Sequence, residues 1–308
     1  VLADNLILLF VFWELTSITS FLLIGFEHER ERARWAAVQA LLTTGLGGLA
    51  LLAGLVLLGL VGGSWSISGL DAQRVLASDL YTPIAILILL GAFTKSAIFP
   101  FYYWLPNAME APSPVSALLH SATMVKAGVY LVARLHPTLS GPLIWDESLA
   151  LFGGVTMVLG ALHATRQDQL KKILAYSTVS SLGTLVMLLG LGAAKAAATY
   201  LLAHAIFKGC LFLVAGTLTK ITGEKYPERL GGLLARAPLL AGSAILAALS
   251  MAGMFPLIGF VGKELMLKAG LSHPEWATLA TSAIALSGAL TVMAALMVGA
   301  RPFLLPPA

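Results

Sequence analysis

FTKSAIFPFYYWLPNAMEAPSPVSALLHSATMVKAG, residues Phe93–Gly128, decides how this chain folds. Apolar, helix-like sequence flanks it on both sides, yet it places Lys95, His120 and Lys126 where hydrocarbon normally excludes charge. Its four prolines, Pro100, Pro106, Pro112 and Pro114, forbid one straight helix. An ionisable residue inside a membrane segment is expensive enough to be read as functional by default. Broken backbone at membrane depth is tolerated only where protein or a water-filled cavity surrounds it. Both signals coincide here.

Working outward, the 308-residue chain is 58% hydrophobic and only 11% charged, with a mean hydropathy of +0.89. Soluble domains run at about 25% charged residues, so this chain has too little charge to cover a water-facing surface. Its apolar runs are longer than the alternating segments of about ten residues that mark outer-membrane barrels. The fold class is therefore an all-α polytopic membrane protein. A net charge of +4 without a basic patch interleaved with aromatics gives no reason to expect a nucleic-acid partner. The lone Cys210 excludes an intrachain disulfide or a cysteine-ligated cluster. No glycine-rich phosphate loop and no nucleophile elbow occurs, so neither a cofactor nor an enzymatic reaction is expected. The sequence argues for moving charge rather than making bonds. It opens at Val1 directly into apolar sequence, without the basic region of a signal peptide, which predicts a fragment of a larger subunit.

A membrane span needs about 20 largely apolar residues. That criterion predicts nine spans, at 2–26, 36–61, 80–99, 114–135, 147–165, 173–192, 196–219, 238–262 and 276–300. The first, third, fifth, seventh and ninth connections contain Arg30, Arg32, Arg34, Arg166, Lys171, Lys172, Lys220, Lys225, Arg229, Arg236 and Arg301. The even connections hold at most Arg74, Arg134, Lys195, Lys263 and Lys268, so the odd ones are expected to be cytoplasmic. Lys95, Lys126 and Lys208 remain inside spans. An internal echo links Ala92–Pro100, AFTKSAIFP, to Ala248–Pro256, ALSMAGMFP, with five spans between them. Paired proline-interrupted segments of opposite orientation point to an inverted repeat with an ion path at its interface.

Each candidate residue has a bland reading and a sharper one. Glu14, in LLFVFWELTSITSFLL, is either a core carboxyl bonded to Thr16 or Ser17 or a functional carboxylate. Lys95 either snorkels to the interface or stands beside a helix break. Pro100 clashes with the carbonyl of Ser96, four residues back, and the helix should kink or end there. Ser116, His120, Thr123, Lys126 and Tyr130 fall within an arc of roughly 120° on an α-helix. A histidine and a lysine on one stripe favour a proton relay over a satisfied core histidine. Tyr200, His204 and Lys208 repeat the device at four-residue intervals. A metal site is rejected there, because a second histidine or carboxylate ligand is missing and the neighbouring ammonium repels cations. Lys263, after Pro256, is either an interfacial lysine or the terminal group of a relay. Asp168, Lys171 and Lys172 read as markers of a cytoplasmic connection. The YSTVSS run at 176–181 reads equally as a water-lining segment or as helix–helix glue.

These residues carry a resemblance. FTKSAIFPFYYWLPNAMEAPSPVSALLHSATMVKAGVYLVARL resembles the signature block of the proton-antiporter family of membrane subunits. That family includes the antiporter-like subunits of respiratory complex I and the large subunits of Mrp-type sodium/proton antiporters. QLKKILAYSTVSSLG, AHAIFKGCLFLVAGT and MFPLIGFVGKEL resemble three further blocks in the right order. AMEAPSPVSALLHSATMVKAG and ITGEKYPERLGGL are more similar to the A-type large subunit of Mrp antiporters than to a complex I subunit.

The resemblance implies two inverted five-helix repeats, 1–135 with its first helix missing and 136–308, each with a broken helix. It also implies a proton relay of Glu14, Lys95, His120, Lys126, His204, Lys208 and Lys263. The implied setting is the plasma membrane of a prokaryote, with other membrane subunits as partners, and protons and Na⁺ as the ions moved. The alternative it leaves open is a proton-pumping subunit of a complex I or membrane-hydrogenase type of redox complex. A purely structural scaffold would not explain three lysines inside spans. In the expected mechanism Glu14 pairs with Lys95. At 4 Å and an effective dielectric of about 20, such a pair is worth on the order of 4 kcal/mol.

Overall fold

The computed structural model describes residues 2–306, and these form a bundle of helices. An isolated antiparallel bridge between Asn5 and Ser66 is the one β pairing among the described residues. Ten helices build the bundle: α1 Leu6–Ile24, α2 Glu31–Gly62, α3 Tyr81–Lys95, α4 Ser113–Leu139, α5 Leu143–Thr165, α6 Leu170–Gly190, α7 Ala194–Thr222, α8 Pro238–Ala252, α9 Ile258–Ser272 and α10 Ala277–Gly299. Seven of them, α1, α2, α4, α5, α6, α7 and α10, are long and apolar enough to cross a membrane. They coincide with seven of the nine expected spans.

The other two expected spans are cut short. α3 and α8 have 15 residues each, about 22 Å of helix against a hydrocarbon core of about 30 Å. α3 ends at Lys95, with Ser96 as its cap, and α8 ends at Ala252, four residues before Pro256. Both breaks therefore fall where the proline ring excludes the carbonyl four residues back. After α3 the chain turns through Ala97, at φ +51°, and passes through short helical turns over 101–110 before Pro112. After α8 it turns through Gly253, at φ +87°, and resumes as α9. The single expected span 238–262 is thus two helices, and Lys263 lies inside the second rather than at the end of the first.

The regular stripe expected across 116–130 is also corrected. Within α4, residues Ser113–Ala117 are α-helical, Leu118–Ala122 form a π-turn, and Met124–Lys126 form a 3₁₀ turn before the α-helix resumes at Ala127. Thr123, at φ −121° and ψ −91°, breaks the ladder and is exposed, while Ser116, His120 and Lys126 are buried. A π-turn inserts a residue and rotates the helix beyond it. His120 and Lys126 consequently depart from the regular spacing that their sequence positions suggest.

Packing explains why α6 is the axis of the molecule. It is buried along almost its whole length, and its glycines let α5 approach at backbone distance. A methyl group on Gly183 would stand 2.9 Å from the carbonyl carbon of Thr156, with no side chain to move aside. Small residues at such seams replace the hydrophobic driving force that is absent between helices in lipid. The outer faces are apolar: Val11, Phe12, Leu15, Ile18 and Leu22 of α1 are all exposed. In water that patch would be a liability; facing hydrocarbon or further helices, it is the expected surface.

Candidate functional site

Lys95 sits on the last residue of α3 and is completely buried. Its ammonium donates to the Trp13 carbonyl at 3.0 Å and to Ser17 Oγ at 2.7 Å, both on α1, and lies 5.1 Å from the centre of the Trp13 ring. The carbonyl, the hydroxyl and the ring face share the charge without a carboxylate.

Glu14 is adjacent but not in contact. Among the described residues no ion pair within 4.0 Å joins it to Lys95, although each feels the other's charge. Its Oε1 is buried and has no hydrogen-bond partner. Thr16 and Ser17, the partners expected under the bland reading, bond to the Trp13 carbonyl instead.

The second cradle repeats the first with different residues. Lys208 on α7 is fully buried and donates to the Leu174 carbonyl, at 3.2 Å, and to Ser177 Oγ, both on α6. Each buried ammonium thus rests on one carbonyl and one serine hydroxyl of a neighbouring helix. Charge-assisted bonds of this kind are about twice as strong as neutral ones.

Between the cradles lie Lys126, His120 and His204. The Lys126 ammonium donates to the Ser121 carbonyl within α4 and lies 3.5 Å from the Leu201 carbonyl of α7. His204 is close enough to Lys126 and Lys208 to feel both charges, so the seventh helix brings these three together. His120 stacks obliquely on Phe212 at 6.2 Å and feels Lys171. Both histidines are fully buried, and none of their four ring nitrogens has a protein partner. Buried polar atoms of this kind are costly unless water satisfies them.

Lys263, partly buried on α9, donates at 2.9 Å to the Ala252 carbonyl, the group that Pro256 frees. It therefore caps the broken end of α8, where the helix dipole is negative. No hydrogen bond joins it to Lys208 among the described residues; Tyr200 stands between α6 and α9, 3.2 Å from Ser181 Oγ and packed on Gly262.

Two features contribute more to the site than their sequence signals suggest. The YSTVSS run supplies Ser177 to Lys208 and Ser181 to Tyr200; its clustered hydroxyls were the available signal. Lys171, read as a marker of a connection, turns inward and donates to the Ala111 carbonyl at 2.8 Å. It lines a cavity of about 800 Å³ whose walls come from 27–36, 106–114, 169–172 and 213–225. The first, third, fifth and seventh connections therefore converge on one end of the bundle, around Arg30, Glu110, Lys171 and Lys225. At the opposite end Asp4 accepts from Ser66, Ser68 and Arg134, the last at 2.9 Å.

Comparison with known proteins places the chain in a family. The family described as "NADH:quinone oxidoreductase/Mrp antiporter, TM" matches residues 3–290. The A-type subunit of the Na(+)/H(+) antiporter of Bacillus subtilis is 47% identical over 281 residues, covering 86% of this chain and 35% of that protein. Its counterpart in Alkalihalophilus pseudofirmus is 48% identical, covering 89% and 36%. A chain in the structure of the Mrp complex from Dietzia sp. DQ12-45-1b superposes with a TM-score of 0.90 at 42% identity, over 96% of this chain and 34% of that one. The chain spans about a third of the length of the relatives it matches. With nearly its whole length matched, it belongs to the NADH:quinone oxidoreductase/Mrp antiporter transmembrane family.

Proposed function

We propose that this chain is the proton-translocating core of a multi-subunit sodium/proton antiporter in a prokaryotic plasma membrane. The observation that carries the reading is the file of buried ammonium and imidazole groups at Lys95, Lys126, His204 and Lys208, with His120 alongside. Protons move laterally along it: Lys95 gives a proton toward His120 and Lys126, whose charge is felt at His204, and His204 passes it to Lys208 and on toward Lys263. Water bonded to the unpartnered imidazole nitrogens bridges the steps. Glu14 governs the first group, because its approach stabilises the charged form of Lys95 and its withdrawal removes that support. The cavity lined by Lys171 is the cytoplasmic access, on the side of the odd-numbered connections.

The repeats proposed for this machine are 1–135 and 136–308. Their support is the matched break after α3 and α8, the broken helix of each repeat. The names of the relatives, subunits A of Na(+)/H(+) antiporters, favour sodium-linked exchange within a multi-subunit assembly. The family description names NADH:quinone oxidoreductase beside the Mrp antiporter, which supports a second reading, a proton pump driven by a redox partner.

Lys95→Ala in the full-length subunit is expected to abolish sodium-driven proton movement in membrane vesicles while the complex assembles at normal abundance. Near-normal exchange in a well-assembled variant would sink the relay. Vesicles energised by an imposed Na⁺ gradient, compared with vesicles given NADH or hydrogen, separate the two readings.

A further inference from the structure

We propose that Gly48 on α2 is a positioning residue for this relay: it forms the slot into which the Glu14 carboxylate withdraws from Lys95. The inference rests on the relay reading above and adds the place where the carboxylate goes. A methyl group on Gly48 would have Oε1, Cδ and Oε2 of Glu14 as its three nearest neighbours, with Cδ at 2.9 Å and Oε2 at 3.5 Å. The space beside Gly48 is therefore filled first by the Glu14 carboxyl group. Its neighbour Gly47 serves α3 in the same way, since a methyl group there would meet Thr94, the residue before Lys95. One glycine pair on α2 thus seats the carboxylate on one side and the base of Lys95 on the other.

The slot contributes no hydrogen bond. Glu14 Oε1 is buried against it without a donor, while Lys95 is the cation whose charge the carboxyl group feels. Lys95 in turn is satisfied by Trp13 and Ser17 when the carboxylate is away. The observed arrangement is the separated state of the pair, with each partner accommodated apart from the other. Filling the slot displaces the carboxylate from this position, and Lys95 is the cation whose charge draws it, so the pair closes.

The test is Gly48→Ala in the full-length subunit within its assembled complex, with Gly45→Ala as the control. A methyl group on Gly45 meets nothing within 4 Å, so that variant carries the same change in helix propensity without the clash. Exchange should fall about tenfold or more in Gly48→Ala, a barrier change of about 1.4 kcal/mol, and stay unchanged in Gly45→Ala. Adding Glu14→Asp, one methylene shorter, should return exchange to the level of Glu14→Asp alone. Dicyclohexylcarbodiimide labelling of Glu14, read by peptide mass spectrometry, should drop in Gly48→Ala, because a carboxylate paired with an ammonium reacts poorly.

Loosened α1–α2 packing would instead raise the labelling and resist rescue by Glu14→Asp, and that result overturns the slot. Wild-type exchange in Gly48→Ala, where Glu14→Ala abolishes it, also overturns the slot and leaves the relay standing. Normal exchange in Glu14→Ala itself overturns Glu14's part in the relay. Should Gly48→Ala fail to assemble, recovery of the complex in Gly48→Ala/Glu14→Ala supports the clash, and failure to recover overturns it.

Discussion

Replacing Ser17 by alanine removes one of the two oxygen acceptors that hold the Lys95 ammonium. Ser17 is 1% exposed, so bulk water has no ready access to the gap. A hydrogen bond to a charged group contributes about 1.5–3 kcal/mol. At 1.4 kcal/mol per factor of ten, the ratio of charged to neutral Lys95 should fall about 10- to 100-fold. Two effects oppose the loss. Glu14 lies outside ion-pair distance, so its help is below the ~4 kcal/mol of a 4 Å pair at a dielectric near 20. A water molecule entering the space of the hydroxyl would restore part of the bond. The lower end of the range therefore applies, and exchange in the assembled complex should drop about tenfold. The assay is acridine-orange dequenching in everted vesicles on addition of Na⁺, with subunit abundance checked by blot. Ser20→Ala is the control, being equally buried on the same helix without contact to Lys95. Equal rates for Ser17→Ala, Ser20→Ala and wild type would refute the argument that the cradle sets the charge state of Lys95.

Other expectations rest on the same contacts. Ser177→Ala should impair exchange in the manner of Ser17→Ala, because Ser177 holds Lys208; an active Ser177→Ala complex would break the equivalence of the two cradles. Gly253→Ala forces a side chain into φ +87° and brings its methyl to 2.6 Å from Lys263 Cδ. It should cost about 1–3 kcal/mol and lower the melting temperature of the detergent-purified complex, whereas an unchanged melting temperature would show that Lys263 does not depend on this turn. Gly183→Val presses on the backbone of α5 and should prevent accumulation of the subunit, with overpacking costs of about 1–3 kcal/mol or more; normal abundance on a blot contradicts the close seam. Hydrogen bonds from Ser66 and then Ser68, with Arg134 nearby, hold the Asp4 carboxyl below the usual carboxylate range. A depressed carboxylate stabilises the fold above its unfolded pKa and loses that contribution only as pH falls through the folded one. Asp4→Asn should therefore lower thermal stability by a similar amount at pH 8 and pH 5, and an effect confined to pH 5 would contradict the assignment.

Much of this protein is legible in its sequence because the governing physics is local. Helix length against bilayer thickness sets the spans, and α1, α2, α5, α6, α7 and α10 fall within a few residues of expectation, apart from the longer N-terminal end of α2. The proline–carbonyl clash reaches four residues back, which is why the ends of α3 at Lys95 and of α8 at Ala252 are set by Pro100 and Pro256. The cost of burying charge singles out Lys95, Lys126 and Lys208 with no knowledge of their neighbours.

The tertiary structure decided what each charge touches. Whether Glu14 meets Lys95 or turns to Gly48 depends on the rotation and separation of α1, α2 and α3, which a glycine pair on the middle helix controls. Lys171 points inward, and Ser177 rather than a carboxylate meets Lys208, because α6 packs at backbone distance from α5 and turns its hydroxyl face to α7. The π-turn at Leu118–Ala122 moved His120 and Lys126 off the regular stripe, a change of register that hydrophobic periodicity does not encode. Sequence determines which groups are placed in hydrocarbon; helix packing over distances of an ångström or two decides which of them can exchange a proton.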